Sequence, residues 1–154
     1  MLRFADVPPA ARALGFAGLL PFFWGVLTMW VQPLETLTLN AVGPRFIGPY
    51  VLLNYGTIIL AFMSGVLWGF AASAQGWARV AGLALSVVPA LWAFFFVTGG
   101  PGPAAIALIA GFLGVLLIDI FLWQARLTPP WWLALRIPLT AVVCLCLAVP
   151  ALAP

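Results

Sequence analysis

Asp119 and Arg136 are the residues of this sequence best placed to do chemistry, because each lies inside an apolar run, Asp119 within 104–124 and Arg136 within 132–149. A charged side chain in the hydrocarbon core of a membrane costs at least ~2.5 kcal/mol even on lenient scales, so each needs a partner. The midpoint of the two positions falls in the short turn that joins the runs. In an antiparallel hairpin of helices the two charges therefore sit at equal depth. One role for such a pair is to pin the helices together, and another is to relay a proton or hold a substrate. A relay calls for several acids or histidines in series. The sequence has no histidine and only two other acids, Asp6 and Glu35, both outside the apolar runs. The expected role is an intramembrane ion pair.

Other chemistry is sparse. No glycine loop suited to phosphate, no cluster of metal ligands, no nucleophile elbow and no paired carboxylates can be found. The sequence is therefore expected to be no enzyme and to use no cofactor or metal. Cys144 and Cys146 are two positions apart, which on a helix points them about 200° apart, so they read as small core residues and not as a disulfide. The six basic residues are all arginine and are scattered. They are too few to track a nucleic-acid backbone, and no nucleic-acid partner is expected.

The elements that hold Asp119 and Arg136 follow from composition. Of 154 residues, 66% are hydrophobic and 6% charged, more apolar surface than a soluble domain of this size can hide, so the lipid bilayer is the expected surrounding. At roughly 20 residues per crossing, the chain reads as an all-α integral membrane protein, a single domain over 1–154 with spans near 13–31, 50–72, 80–98, 104–124 and 132–149. The first span is too long for a signal-peptide core and is expected to be retained. The longest loop is expected between Gln32 and Pro49, and the run Gly99 to Pro103 breaks the chain between the third and fourth spans. Pro21, Pro89 and Pro138 are expected to interrupt the first, third and fifth spans.

Five of the six arginines (Arg3, Arg12, Arg79, Arg126 and Arg136) fall on the face shared by the N-terminus and the even-numbered turns, against Arg45 on the other. Excess arginine marks the cytoplasmic side. The N-terminus is thus expected in the cytoplasm and the C-terminus across the membrane, in the periplasm of a bacterial cell. Trp77, Trp123, Trp131 and Trp132 gather at the same boundary and read as interfacial anchors. In the second span Ala61, Gly65 and Gly69 follow one another at four-residue spacing, a stripe of small residues that lets another helix, from this chain or a partner, come close.

Several stretches carry a family likeness: Leu14-Gly15 with Gly18 to Phe22, Tyr55-Gly56 through Phe62 to Trp68-Gly69, Val88 to Leu91, and Leu135 to Thr140. On these the sequence resembles the transmembrane-protein-69-like family, a domain of unknown function found in small multispan proteins of proteobacterial inner membranes and mitochondria. The resemblance implies a bacterial inner-membrane location and supplies no activity. Together these features suggest a non-catalytic accessory subunit or assembly factor that associates with other subunits of a larger, energy-transducing membrane complex. The alternative is a binder or carrier of a small hydrophobic molecule such as a quinone, lipid or porphyrin.

Overall fold

Proline marks where most of the helices begin. Its ring fixes φ near the helical value and its missing N–H falls among those that have no partner in a first turn. In a computed structural model, which describes residues 3–152, Pro9, Pro21, Pro33, Pro49 and Pro101 each stand at the first or second position of a helix. Among the described residues the helices are α1 Pro9–Ala17, α2 Leu20–Trp30, α3 Gln32–Val42, α4 Gly48–Ala72, α5 Gly76–Phe96, α6 Pro101–Gln124 and α7 Trp132–Leu152, and there is no strand. Met1 and Pro154, the ends whose sidedness the arginine count assigns, lie outside the described residues.

Five stretches are long and apolar enough to cross a membrane: Pro9–Trp30, Gly48–Ala72, Gly76–Phe96, Pro101–Gln124 and Trp132–Leu152. Much of what they expose is large and apolar, including Phe23, Ile58, Phe62, Phe94, Leu117 and Leu145, as a bundle solvated by lipid requires. The third and fourth spans begin four and three residues before the sequence-derived limits and the fifth ends three after. Here Trp77 and Arg79 belong to the first turn of α5, and Pro101 opens α6 where a breaker was expected.

One expectation is corrected. The segment from Gln32 to Pro49 is mostly helical, as α3 and a 3-10 turn at Pro44–Phe46. Pro33 and Glu35 fit the first turn of α3, the acid facing the positive end of the helix dipole, and Gly43 ends it at φ +89°. The first span is interrupted beside Pro21, as expected: α1 and α2 are separate helices that meet at Gly18 and Leu19.

The most extensive packing joins consecutive helices, α4 with α5 and α6 with α7, and α4 also lies against α2 and α6. Small residues make these crossings close. A Cβ added at Gly82 would lie 2.8 Å from Ala71 Cβ, one at Gly111 2.6 Å from Leu60 Cδ2, and one at Gly25 2.6 Å from Leu52 Cγ. Polar groups support the same contacts. Ser64 Oγ accepts the Ala90 amide at 2.8 Å, just after Pro89 in α5, and Trp92 Nε1 donates to the Ala107 carbonyl at 2.7 Å. Thr28 Oγ1 accepts the Gly48 amide at 2.8 Å and so ties the start of α4 to α2.

Candidate functional site

The α6–α7 turn is a tight one. Its closure places the amide of Leu127 on the Leu122 carbonyl and that of Arg126 on the Trp123 carbonyl, the paired bonds of a Schellman end in which one residue takes the left-handed conformation. That residue is Arg126, at φ +58°, where glycine is usual. The turn sends α7 back along α6 and brings Asp119 and Arg136 to matching heights, about five residues from the end of α6 and four from the start of α7. At 1.5 Å per residue both lie ~6–8 Å inside their helices.

Asp119 is fully buried and Arg136 is 6% exposed. Arg136 Nε donates to Asp119 Oδ2 at 3.0 Å, and Trp132 Nε1 donates to Asp119 Oδ1 at 2.7 Å. Each carboxylate oxygen thus accepts one N–H. The guanidinium carbon also lies 6.0 Å from the Trp132 ring centroid, within range of a cation–π attraction. Trp132 also packs against Phe70 of α4, edge to face at 5.1 Å. One indole therefore serves both members of the pair.

The cluster is not fully matched. Arg136 Nη2 and Thr140 Oγ1 are buried without a hydrogen-bond partner, as is Thr128 Oγ1 in the turn. Thr140 is 2% exposed. A threonine inside a helix normally turns its hydroxyl onto a carbonyl one turn earlier, and Thr28, Thr36, Thr38 and Thr57 all do so. Thr140 does not. It stands one turn beyond Arg136, on the same face of α7.

Both residues line a cavity of about 420 Å³ whose other walls come from α1, the α1–α2 junction, α2, α4 and α6. The lining is mainly aliphatic and aromatic, with Phe22, Tyr55, Phe62, Phe112, Trp131 and Trp132 around it, and among the described residues Arg136 is its one charged member. The break between α1 and α2 shapes this space: α1 packs on α7 while α2 packs on α4, and Gly15 faces Leu135 and Leu139 of α7.

The remaining sequence-derived residues are placed as follows. Trp77 is 79% exposed at the start of α5 and Trp123 is exposed near the end of α6. Trp131 and Trp132 instead turn inward to the cavity, and Trp132 binds Asp119. Ala61, Gly65 and Gly69 are all exposed, and a Cβ at Gly65 or Gly69 would meet nothing within 4 Å. The stripe faces outward, and among the described residues nothing packs against either glycine at that distance. Arg136, counted above with the arginines of one face, is a buried partner of Asp119, so that face keeps Arg3, Arg12, Arg79 and Arg126. Sequence reasoning gave Thr140 no role. Its signal was position, four residues from an intramembrane arginine.

The fold and the buried pair define a polytopic helical membrane protein with five candidate crossings. Within that class the chain belongs to the family described as protein of unknown function, DUF3429, which it matches over residues 7–152. It is similar to a protein named Transmembrane protein 69 from Xenopus tropicalis, 35% identical over 142 residues, covering 89% of this chain and 51% of that protein. The chain thus spans about half the length of that relative. No solved structure matches it.

Proposed function

We propose that this chain is a non-catalytic membrane protein that holds a small lipid-soluble molecule in the cavity between α1, α4 and α7. The observation that carries this reading is the cavity itself, about 420 Å³ with a mainly aliphatic and aromatic lining and with Arg136 and Thr140 in its wall. Cavities of this size, apolar with a few convergent polar groups, are the usual form of small-molecule sites.

The test is gentle purification followed by native mass spectrometry and solvent extraction. A retained lipid-soluble compound supports the reading. A chain free of any such compound, from wild-type cells, overturns it.

A second reading, an accessory or assembly role in a larger inner-membrane complex, is favoured by the outward stripe of Ala61, Gly65 and Gly69, which offers a partner helix close approach. The four arginines on one face against Arg45 support an arrangement with that face in the cytoplasm of a bacterial cell. An alkaline phosphatase fused after Pro154 should then be active, and an inactive fusion would overturn this sidedness.

A further inference from the structure

Arg45 carries a positive charge that no carboxylate of the described residues meets, since the one ion pair among them joins Asp119 to Arg136. The 3-10 turn that holds it, Pro44–Phe46, is tied to α2 twice: Trp24 Nε1 donates to the Phe46 carbonyl at 3.0 Å, and the Gly48 amide just beyond the turn donates to Thr28 Oγ1 at 2.8 Å. Arg45 is exposed. It borders two grooves at once, of about 510 and 540 Å³, and among the described residues no acid lines either of them.

The helix α4 supplies the ridge between the grooves. At ~100° per residue, Asn54 and Ile58 share one face of the helix, with Tyr50, Leu53 and Thr57 to one side of it and Val51 and Tyr55 to the other. The walls follow that division: Asn54 and Ile58 line both grooves, the next three residues line only the groove toward the α5–α6 turn, and the last two only the groove toward α2. Both grooves follow α4 for ~10 to 12 Å at 1.5 Å per residue. We infer that they hold the two acyl chains of one phospholipid of the bilayer, with its single anionic phosphate on Arg45. Charge selects the head. A phosphatidylglycerol head brings one negative charge to one positive charge and can take paired N–H bonds from a guanidinium, whereas a phosphatidylcholine head adds an ammonium that Arg45 repels. The number of grooves selects the tail, because a single chain leaves one groove open and cardiolipin, with two phosphates and four chains, exceeds both counts. The site stands apart from the cavity at Arg136 and does not rest on the reading of that cavity.

The experiment places the full chain in phosphatidylcholine nanodiscs with rising fractions of phosphatidylglycerol and reads the melting temperature at each, because a lipid bound to the folded state raises it. A saturable rise is expected, and native mass spectrometry of chain released from the mixed discs should show one phosphatidylglycerol retained. Arg45→Gln should weaken the affinity about fivefold while melting like the wild type in pure phosphatidylcholine. Arg45→Lys, which keeps the charge, should retain most of the response. Ile58→Trp, which broadens the ridge into both grooves and leaves every charge in place, should also weaken it.

No rise with phosphatidylglycerol, or a rise equally steep in Arg45→Gln, overturns the site. An equal rise with inorganic phosphate added to pure phosphatidylcholine discs makes it a site for a free anion and overturns the lipid. Tighter binding of cardiolipin overturns the single-phosphate head, and an Ile58→Trp variant that responds like the wild type overturns the placement of the chains. Should Arg45→Gln fail to fold, the lipid series on the wild type and on Ile58→Trp decides between the same outcomes.

Discussion

Helices are joined in two different ways in this bundle. Between α4, α5 and α6 the joints are small residues and satisfied polar groups: Gly82 against Ala71, Gly111 against Leu60 and Trp92, the Ala90 amide on Ser64, and the Trp92 indole on the Ala107 carbonyl. Between α6 and α7 the joint is a buried ion pair with an indole braced on it, and polar groups remain unmatched beside it. Lipid gives no hydrophobic reward for helix association, so either device works, the first through van der Waals contact and the second through hydrogen bonds. The difference lies in what is left over. The first joint is complete within the chain and acts as scaffold. The second leaves polar groups buried without partners, beside the cavity that Arg136 and Thr140 line.

The sharpest way to break this contrast is to remove one charge. Asp119→Leu leaves Arg136 buried and unpaired, and should destabilise the chain by about 3 to 5 kcal/mol in detergent unfolding. The double replacement Asp119→Leu with Arg136→Leu should cost less than either single change, because it leaves no uncompensated charge. Singles that melt like the wild type would show that the pair does not hold α6 to α7.

The scaffold joint should yield to volume. Gly111→Leu would drive its first side-chain atom to 2.6 Å from Leu60 and 3.0 Å from Trp92, and overpacking of this kind costs about 1 to 3 kcal/mol. A smaller loss is expected from Ser64→Ala, which strips the Ala90 amide of its acceptor beside Pro89. The expected penalty is about 1 to 2 kcal/mol, read from the same unfolding curves, and hydrogen exchange should rise at Ala90. An unchanged exchange rate would mean that the amide finds another partner.

Smallest of all should be Gly69→Leu. With open space around it, the isolated chain should change by less than about 0.5 kcal/mol. If the outward stripe receives a partner helix, the same variant should lose co-purifying subunits while staying folded, which separates this surface from the internal crossings.

Much of this was legible in the sequence. The five crossings follow from apolar length, and the facing of Asp119 and Arg136 follows from counting outward from the turn. The rest was hidden for physical reasons. In a soluble bundle the polar face of a helix tells which side points out, but here α4 and α6 are apolar all round, since lipid and core are equally oily. The spacing of Ala61, Gly65 and Gly69 therefore identified a smooth face without saying where it pointed, while Gly82, which does meet another helix, sits in an equivalent run with Ala78, Ser86 and Ala90. Trp132 looked like its neighbours at the boundary because an indole N–H suits lipid headgroups and carboxylates alike. The helix α3 was concealed by Pro33 and Asn40, which read as loop residues until Pro33 is seen to occupy a first turn.

The ion pair also has an order in time. Asp119 leaves the ribosome 17 residues ahead of Arg136, a lag of about 1 to 3 s at ordinary rates of synthesis. For most of that interval, until Trp132 follows 13 residues after Asp119, α6 carries a carboxylate with neither partner yet made. An isolated α6 is a poor candidate for release into lipid, and the two last helices are expected to leave the insertion machinery together as a hairpin. A chain halted at Leu127 should stay bound to that machinery or be degraded, and one halted at Cys144, with both partners of Asp119 made, should be released.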